Sequence, residues 1–183
     1  MNITDDGLLH GDSATLTYLA SPNGDERPAS MAIELIVLHN ISLPPGEFGG
    51  PGIADLFLNR LRAQAHPYYA DIAGLRVSAH FLIRRDGSVI QFVPCTQRAW
   101  HAGVSQWRGR SRCNDFSVGI ELEGADEIPF EEAQYGRLGA LLGALKGRYP
   151  IVEVTGHCDV APGRKTDPGA AFEWDRVNIN KIK

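Results

Sequence analysis

A short, almost continuously apolar run constrains the fold of this chain more than any other segment. Residues 33–39 read IELIVLH, and the β-branched residues among them favour an extended strand. An apolar run without regular polar alternation is typical of a central strand that is covered on both faces. The segment therefore predicts a sheet with packing on both sides, and it places His39 at the end of an inner strand.

Further strands are predicted by turn residues and by alternation. Residues 77–84 and 88–93 are strand-like and flank Asp86-Gly87, a dipeptide that favours a tight hairpin between antiparallel strands. Residues 116–123 alternate between apolar side chains, from Phe116 onward, and small or acidic ones. The alternation predicts that Glu121 faces away from the apolar core.

The clearest helical pattern covers residues 131–149. It combines apolar residues at helical spacing with acidic residues at its start, basic residues at its end and a proline beyond it. Three glycines recur every four residues and are predicted to form a smooth strip that lies close to the sheet: Gly139, Gly143 and Gly147. Residues 53–62 predict a short helix, 151–155 a strand and 171–177 a last helical turn.

Length and composition indicate one globular domain. The chain has 183 residues, of which 43% are hydrophobic and 22% charged. Alternating strand and helix patterns predict a single α/β domain over residues 31–183. Residues 1–30 are polar and rich in turn signals, and we expect a loosely ordered lead-in there.

Charge and cysteine content indicate which binding partners and which cellular compartment to expect. The net charge is −4 with a pI near 5.8, which argues against binding to nucleic acid or to an anionic membrane. The first residues do not resemble a signal peptide, and no apolar run approaches the roughly 20 residues that span a bilayer. Three cysteines without a CxxC motif favour a reducing compartment. We expect a cytoplasmic monomer.

A loop rich in glycine and proline in the last third of the chain carries metal-binding side chains. His157 and Asp167 lie in this loop, and with His39 they supply three ligands that would leave a fourth position open, as in catalytic zinc sites. Glu121 and Lys165 add a carboxylate and an ammonium group. Together these five residues predict metal-assisted hydrolysis.

Six segments in the same order resemble one known family. They match the zinc amidases of the N-acetylmuramoyl-L-alanine amidase type 2 and peptidoglycan recognition protein family, over about residues 33–176. The match is strongest to the bacterial cytoplasmic members that act on 1,6-anhydro-N-acetylmuramyl peptides in peptidoglycan recycling. The segments are residues 39–50, 76–80, 98–103, 113–124, 156–158 and 164–169.

The resemblance implies a fold, a cofactor and a role for each candidate. The fold would be a mixed central sheet flanked by helices, and the cofactor Zn²⁺. His39, His157 and Asp167 would bind the zinc ion, Glu121 would be the catalytic carboxylate, and Lys165 would stabilise the transition state. The reaction would be hydrolysis of the amide between the lactyl group of anhydro-N-acetylmuramic acid and L-alanine.

The implied substrate carries several carboxylates, for which arginine is the natural partner. We predict that Arg76 and Arg112 bind the stem peptide, with Arg108 and Arg110 as further candidates. Asn40 and Trp100 complete the predicted substrate-binding set. His80 and His101 are expected to be structural or to lie near the substrate, because a fourth protein ligand would close a catalytic site.

Three alternatives remain open from the sequence. The protein could be an endolysin-like amidase that acts on intact wall peptidoglycan. It could be a peptidoglycan-binding module without catalysis, although such a module would lack one of the three ligands. The zinc ion could instead be structural, with Cys158 as a fourth ligand; neighbouring residues in an extended chain point to opposite sides, which argues against Cys158 beside His157.

Overall fold

The computed structural model describes residues 1–177, so the last six residues of the predicted domain lie outside the described part. Its strands are Asn2–Ile3 (β1), Leu9–His10 (β2), Leu16–Tyr18 (β3), Gly24–Glu26 (β4), Leu35–Ile41 (β5), Phe81–Ile83 (β6), Val89–Gln91 (β7), Gln97–Ala99 (β8), Gln106–Trp107 (β9), Arg110–Ser111 (β10), Ser117–Glu123 (β11) and Glu153–Gly156 (β12). Its α-helices are Gly52–Phe57 (α1), Tyr69–Ile72 (α2), Glu132–Arg148 (α3) and His157–Val160 (α4). Short 3₁₀ helices cover Ala63–Ala65, Cys113–Asp115 and Trp174–Arg176.

A six-stranded mixed sheet with the order β12-β5-β11-β6-β7-β3 forms the centre of the fold. Strands β12, β5, β11 and β6 run parallel, whereas β6 and β7 form the antiparallel pair predicted from Asp86-Gly87. The run that begins at Ile33 forms the inner strand β5, and its residues from Leu35 to Leu38 are fully buried. The predicted α/β domain with a mixed central sheet is confirmed.

Helix α3 covers one face of the sheet. A capping box between Glu131 and Gln134 begins the helix, and basic residues occupy its last turn. Its buried side chains, such as Leu138 and Leu145, pack in one cluster with Ile120 of β11. The predicted role of the helix glycines is wrong: Gly139, Gly143 and Gly147 are exposed, and a Cβ added to any of them would meet no atom within 4 Å.

The opposite face is covered by α1 and by loops. Helix α1 buries Ile53, Leu56 and Phe57 in a cluster with Leu82 of β6. The helix is shorter than the predicted 53–62, because Asn59 adopts a left-handed backbone conformation with φ of 57°. None of the helices described within residues 1–177 is long and apolar enough to cross a bilayer.

The polar N-terminal residues are ordered by the rest of the fold, so the expected loose order is wrong. Strand β3 pairs with β7 at the sheet edge, and β4 pairs with β8. Arg27 donates hydrogen bonds to four backbone carbonyls, among them that of Ser117 at 2.8 Å. Burial lowers the pKa of Arg27 to about 10. The domain boundary near residue 30 stays a prediction.

Candidate metal centre and active site

Parallel strands bring the predicted site residues to one edge of the sheet. His39 of β5 lies directly beside Glu121 of β11 in the strand register, so both side chains share the face opposite α3. Strand β12 runs parallel to β5 and ends at Gly156, which places His157 at the first position of α4. The carboxyl ends of parallel strands are the usual place for a binding site in an α/β sheet.

Three ligand atoms converge at this edge. His39 Nδ1 lies 3.0 Å from His157 Nδ1, and Asp167 Oδ2 lies 2.9 Å from the first nitrogen and 3.0 Å from the second. Within residues 1–177, these three residues form the one group of side chains that could hold a metal ion. Both histidines are almost fully buried, whereas Asp167 is partly exposed.

The charge states of these residues suit a divalent cation. Burial lowers the pKa of His39 to about 4, so its ring is neutral at pH 7. Burial alone would raise the pKa of Asp167, but the adjacent His157 and His39 rings outweigh it and hold that pKa well below its usual range. Two imidazoles and one carboxylate are the nitrogen and oxygen donors that Zn²⁺ accepts with a fourth position left open. The residues present therefore fit a zinc ion.

Glu121 differs from the neighbouring acidic residue on the same face of β11. Its Oε2 atom is buried and has no hydrogen-bond partner in the described part of the chain. Burial, assisted by the negative charge of Asp167 and opposed by Lys165, raises the pKa of Glu121 well above its usual value. Glu123, in contrast, accepts hydrogen bonds from Gly49 N at 2.7 Å and from Arg84 at 3.1 Å. Only Glu121 therefore keeps an acceptor for a water molecule or a substrate.

A cavity of about 470 Å³ opens above these groups. The predicted site residues that line it are His39, Asn40, Trp100, Glu121, His157, Lys165 and Asp167. The Asn40 amide donates to Asp126 Oδ1 at 2.6 Å and to the carbonyl of Pro168 at 3.0 Å, which ties the loop that carries Asp167 to β5. The alternation in β11 correctly predicted that Glu121 faces away from the apolar core. This second face of the strand is buried as well.

The predicted arginines do not reach this cavity. Neither Arg76 nor Arg112 is among its described lining residues. Arg76 is exposed and bonds weakly to backbone carbonyls beside it, and Arg112 pairs with Asp115 at 3.1 Å. The further candidates Arg108 and Arg110 form ion pairs with Glu153 and Glu34. The ion pairs of Arg108 and Arg110 join residues distant in sequence, so local patterns could not predict them.

The remaining histidines and Cys158 do not join the three ligand atoms among the residues described. His101 lines the cavity but directs Nδ1 at His39 Nε2, 3.0 Å away. His80 is fully buried and accepts a hydrogen bond from Gly119 N at 3.0 Å. No motif indicated Asp126, whose place in the cavity wall depends on the packing of Gly169 against its backbone.

The fold and this centre define a class of protein: an α/β domain that presents two histidines, an aspartate and a buried glutamate as a metal-dependent hydrolase does. Comparison with known families identifies the family within this class. The chain belongs to the N-acetylmuramoyl-L-alanine amidase family, whose model matches residues 29–170. The resemblance predicted from the sequence is confirmed.

Similar proteins match over most of their length. The chain is 59% identical over 161 residues to the 1,6-anhydro-N-acetylmuramyl-L-alanine amidase AmpD of Escherichia coli K12, covering 87% of this chain and 88% of that protein. The protein of the same name from Haemophilus influenzae is 49% identical over 168 residues, covering 90% and 91%.

Solved structures agree with the fold. A crystal structure of an AmpD selenomethionine derivative superposes with a TM-score of 0.91 at 55% identity and covers 97% of both chains. The Apis mellifera protein PGRP-SA shares the fold at 14% identity, with a TM-score of 0.60 and coverage of 89% of this chain and 94% of that one.

Proposed function

We propose that this protein is a zinc-dependent amidase that hydrolyses the amide between the lactyl group of 1,6-anhydro-N-acetylmuramic acid and L-alanine of the stem peptide. The observation that carries the proposal is the convergence of three metal-ligand atoms beside a buried, unpartnered carboxylate oxygen. The substrate class rests on the similar AmpD proteins, which are named for this bond.

The proposed chemistry divides between the metal ion and Glu121. A zinc ion held by His39, His157 and Asp167 would polarise the scissile carbonyl and lower the pKa of a coordinated water molecule. Glu121 accepts the proton of the attacking water and transfers it to the nitrogen of the leaving alanine. Its buried Oε2 atom, which has no hydrogen-bond partner among the described residues, is an acceptor for that proton.

Lys165 supplies positive charge on the open side of the cavity. Its charge already acts on Glu121, where it opposes the rise in pKa, and it lines the same cavity. An ammonium group in this position stabilises the negative charge that develops on the carbonyl oxygen. Asn40 and Trp100 are proposed substrate contacts within the cavity. Arg76 and Arg112 stay predicted contacts for carboxylates of the stem peptide that extend beyond it.

We propose that the enzyme works in the cytoplasm, in peptidoglycan recycling. Anhydro-muramyl peptides are fragments of wall turnover, so an enzyme specific for them works on recovered material. Cys95, Cys113 and Cys158 are all free thiols, which suits a reducing compartment.

The experiment that tests the proposal compares zinc-loaded and chelated protein with purified anhydro-muramyl tripeptide, with mass spectrometry of the products. We expect release of the free tripeptide that stops on chelation and returns with Zn²⁺. Asp167→Ala should lose both bound zinc and turnover, whereas the control Cys158→Ala should keep both. Zinc loss in the Cys158 variant would instead support a structural four-ligand site.

The same experiment separates the alternatives. Cleavage of intact sacculi in preference to the soluble muropeptide would contradict the proposed substrate and favour an endolysin-like amidase. Peptide binding without cleavage by the zinc-loaded protein would favour a binding module.

A further inference from the structure

The segment that contains His101 and Ala102 contacts both metal-ligating histidines from behind. His101 Nδ1 lies 3.0 Å from His39 Nε2, and the carbonyl of Ala102 lies 3.1 Å from His157 Nε2. In each case the contact is made by the ring nitrogen that does not face the other ligands. Two adjacent residues can therefore set the orientation of both rings.

The direction of the hydrogen bond to His157 follows from its partner. A carbonyl oxygen only accepts, so His157 Nε2 carries the hydrogen and donates it to Ala102. A neutral ring that donates through Nε2 keeps its lone pair on Nδ1, which is the atom directed at Asp167 and His39. The backbone carbonyl of Ala102 thus holds the His157 ring in the tautomer that can bind a metal ion through Nδ1.

The direction of the hydrogen bond to His39 follows from Ser117. The single hydroxyl hydrogen of Ser117 is donated to the carbonyl of Cys113 at 2.6 Å, so its oxygen can only accept from His101 Nε2 at 3.2 Å. His101 is therefore protonated on Nε2 and bears its lone pair on Nδ1. It accepts from His39 Nε2, which leaves the lone pair of His39 on Nδ1, toward Asp167.

Neighbouring residues hold His101 where it can accept a hydrogen bond from His39 and donate one to Ser117. Asn114 Oδ1 accepts hydrogen bonds from Ala102 N at 2.8 Å and from His101 N at 3.3 Å. The ring of His101 lies against Gly119, where a Cβ atom would come within 2.4 Å of His101 Cγ. The hydrogen bonds to Asn114 thus hold the backbone at residues 101–102. A residue with a side chain at position 119 would clash with the His101 ring.

We propose that His101 is a positioning residue, oriented by Ser117, that holds His39 in the tautomer with the Nδ1 lone pair directed at the metal ion. The proposal rests on the zinc centre of the proposed function. It assigns His101 no contact with the metal ion and no proton transfer in the reaction. Its effect is expressed in zinc affinity, which outer partners of ligating histidines typically change by about 10- to 100-fold.

The test uses two substitutions of nearly equal shape. His101→Asn keeps an acceptor, since its Oδ1 is branched from the same carbon as Nδ1 of histidine, and His101→Leu removes it. Neither reaches Ser117, so the pair compares a polar amide, whose Oδ1 can accept from His39, with an apolar side chain of similar shape that offers no acceptor. We expect His101→Leu to weaken Zn²⁺ binding, measured by competition with a chromophoric chelator, by about 10- to 100-fold relative to His101→Asn. Ser117→Ala should cause a smaller loss.

His80 supplies a control for general damage to the core. It is another fully buried neutral histidine, its ring centroid is 5.8 Å from that of His101, and burial lowers its pKa to about 3. His80→Leu and His80→Asn should lower the melting temperature of chelated protein but bind Zn²⁺ with equal affinity. Equal affinities of His101→Leu and His101→Asn, beside a tightly binding wild type, would overturn this inference alone. A wild-type protein that binds no Zn²⁺ would overturn the zinc centre as well.

Discussion

The two faces of strands β5 and β11 carry different kinds of side chain for different purposes. On the face toward α3, residues such as Leu38 and Ile120 are fully buried among other apolar side chains. On the other face, the register places His39 beside Glu121 beneath a cavity. The first face gains the full stabilisation that burial of apolar surface provides, whereas the second presents polar side chains to the cavity.

The second face retains polar groups at a cost to stability. Glu121 is only 8% exposed, and its Oε2 atom has no hydrogen-bond partner among the described residues. The free-energy cost of removing this oxygen from water is therefore not offset by a hydrogen bond. Such a cost is accepted at sites where a group must be ready for substrate rather than satisfied by the protein. The two faces therefore make different predictions: removal of the unpartnered carboxyl group of Glu121 should change chemistry, and substitutions on the α3 face should change stability.

The largest effect is expected for Glu121→Gln. The amide cannot accept the proton of the attacking water, so turnover of anhydro-muramyl tripeptide should fall by about 10²- to 10⁴-fold with zinc binding retained. Glu123→Gln is the matched control on the same strand, because its carboxylate is bound to Arg84 and the backbone of Gly49. It should keep most of the turnover and lose stability. Similar turnover in the two variants would contradict the role of Glu121.

Leu138→Ala tests the opposite face. Leu138 is fully buried between α3 and the sheet, so the substitution should lower the free energy of unfolding by about 2–5 kcal/mol. Denaturant unfolding of the chelated protein measures this loss. Below the unfolding transition, zinc affinity and turnover should match wild type. A change in the zinc affinity of the folded variant would show that the two faces are coupled.

Patterns of local period predicted the α3 face well. Helix α3, the central strand β5 and the hairpin at Asp86-Gly87 each follow from residues close in sequence, and the structure contains all three. The same reasoning failed where a short irregular element decided the outcome. Alternation placed Phe116 on the face of Val118, but a 3₁₀ turn over Cys113–Asp115 precedes the strand, and Phe116 packs in a different cluster.

The cavity face could be predicted only in part, since its residues come from distant segments. The resemblance to a family named the residues that supply the three converging ligand atoms. The bonds that orient their rings involve Asn114 and Ser117, which lie in the matching segment 113–124 but had no predicted role. Two of the four predicted substrate-binding residues, Arg76 and Arg112, lie outside the described cavity lining. Long side chains can reach many partners, so their direction depends on tertiary packing.

The pH dependence of stability gives a finer test of the cost at Glu121. Its pKa is raised in the folded protein, so ionisation is less favourable there than in the unfolded chain, and stability is lost as pH rises above the unfolded value of about 4.3. Chelated Glu121→Gln should therefore gain stability over wild type by up to about 1.4 kcal/mol for each pH unit above that value, until the folded pKa is reached. Melting curves between pH 4 and pH 8 measure the difference. A stability difference between the two proteins that does not depend on pH would contradict a raised pKa of Glu121 in the folded protein.

The smallest effect is expected on the outer side of α3, where the exposed glycines offer a way to stabilise one face without touching the other. A Cβ at Gly143 would meet no atom within 4 Å, and its backbone is helical, so alanine adds no clash. Gly143→Ala should raise the free energy of unfolding by up to about 1 kcal/mol, because alanine restricts the unfolded chain and favours the helix. Gly87→Ala is the contrasting control: its φ of 81° and a backbone oxygen of Ala133 3.0 Å from the added Cβ predict destabilisation. Both should leave zinc affinity unchanged, since neither lies on the cavity face; a gain of stability at Gly143 accompanied by weaker zinc binding would mean that the helix transmits strain through the sheet to the metal centre.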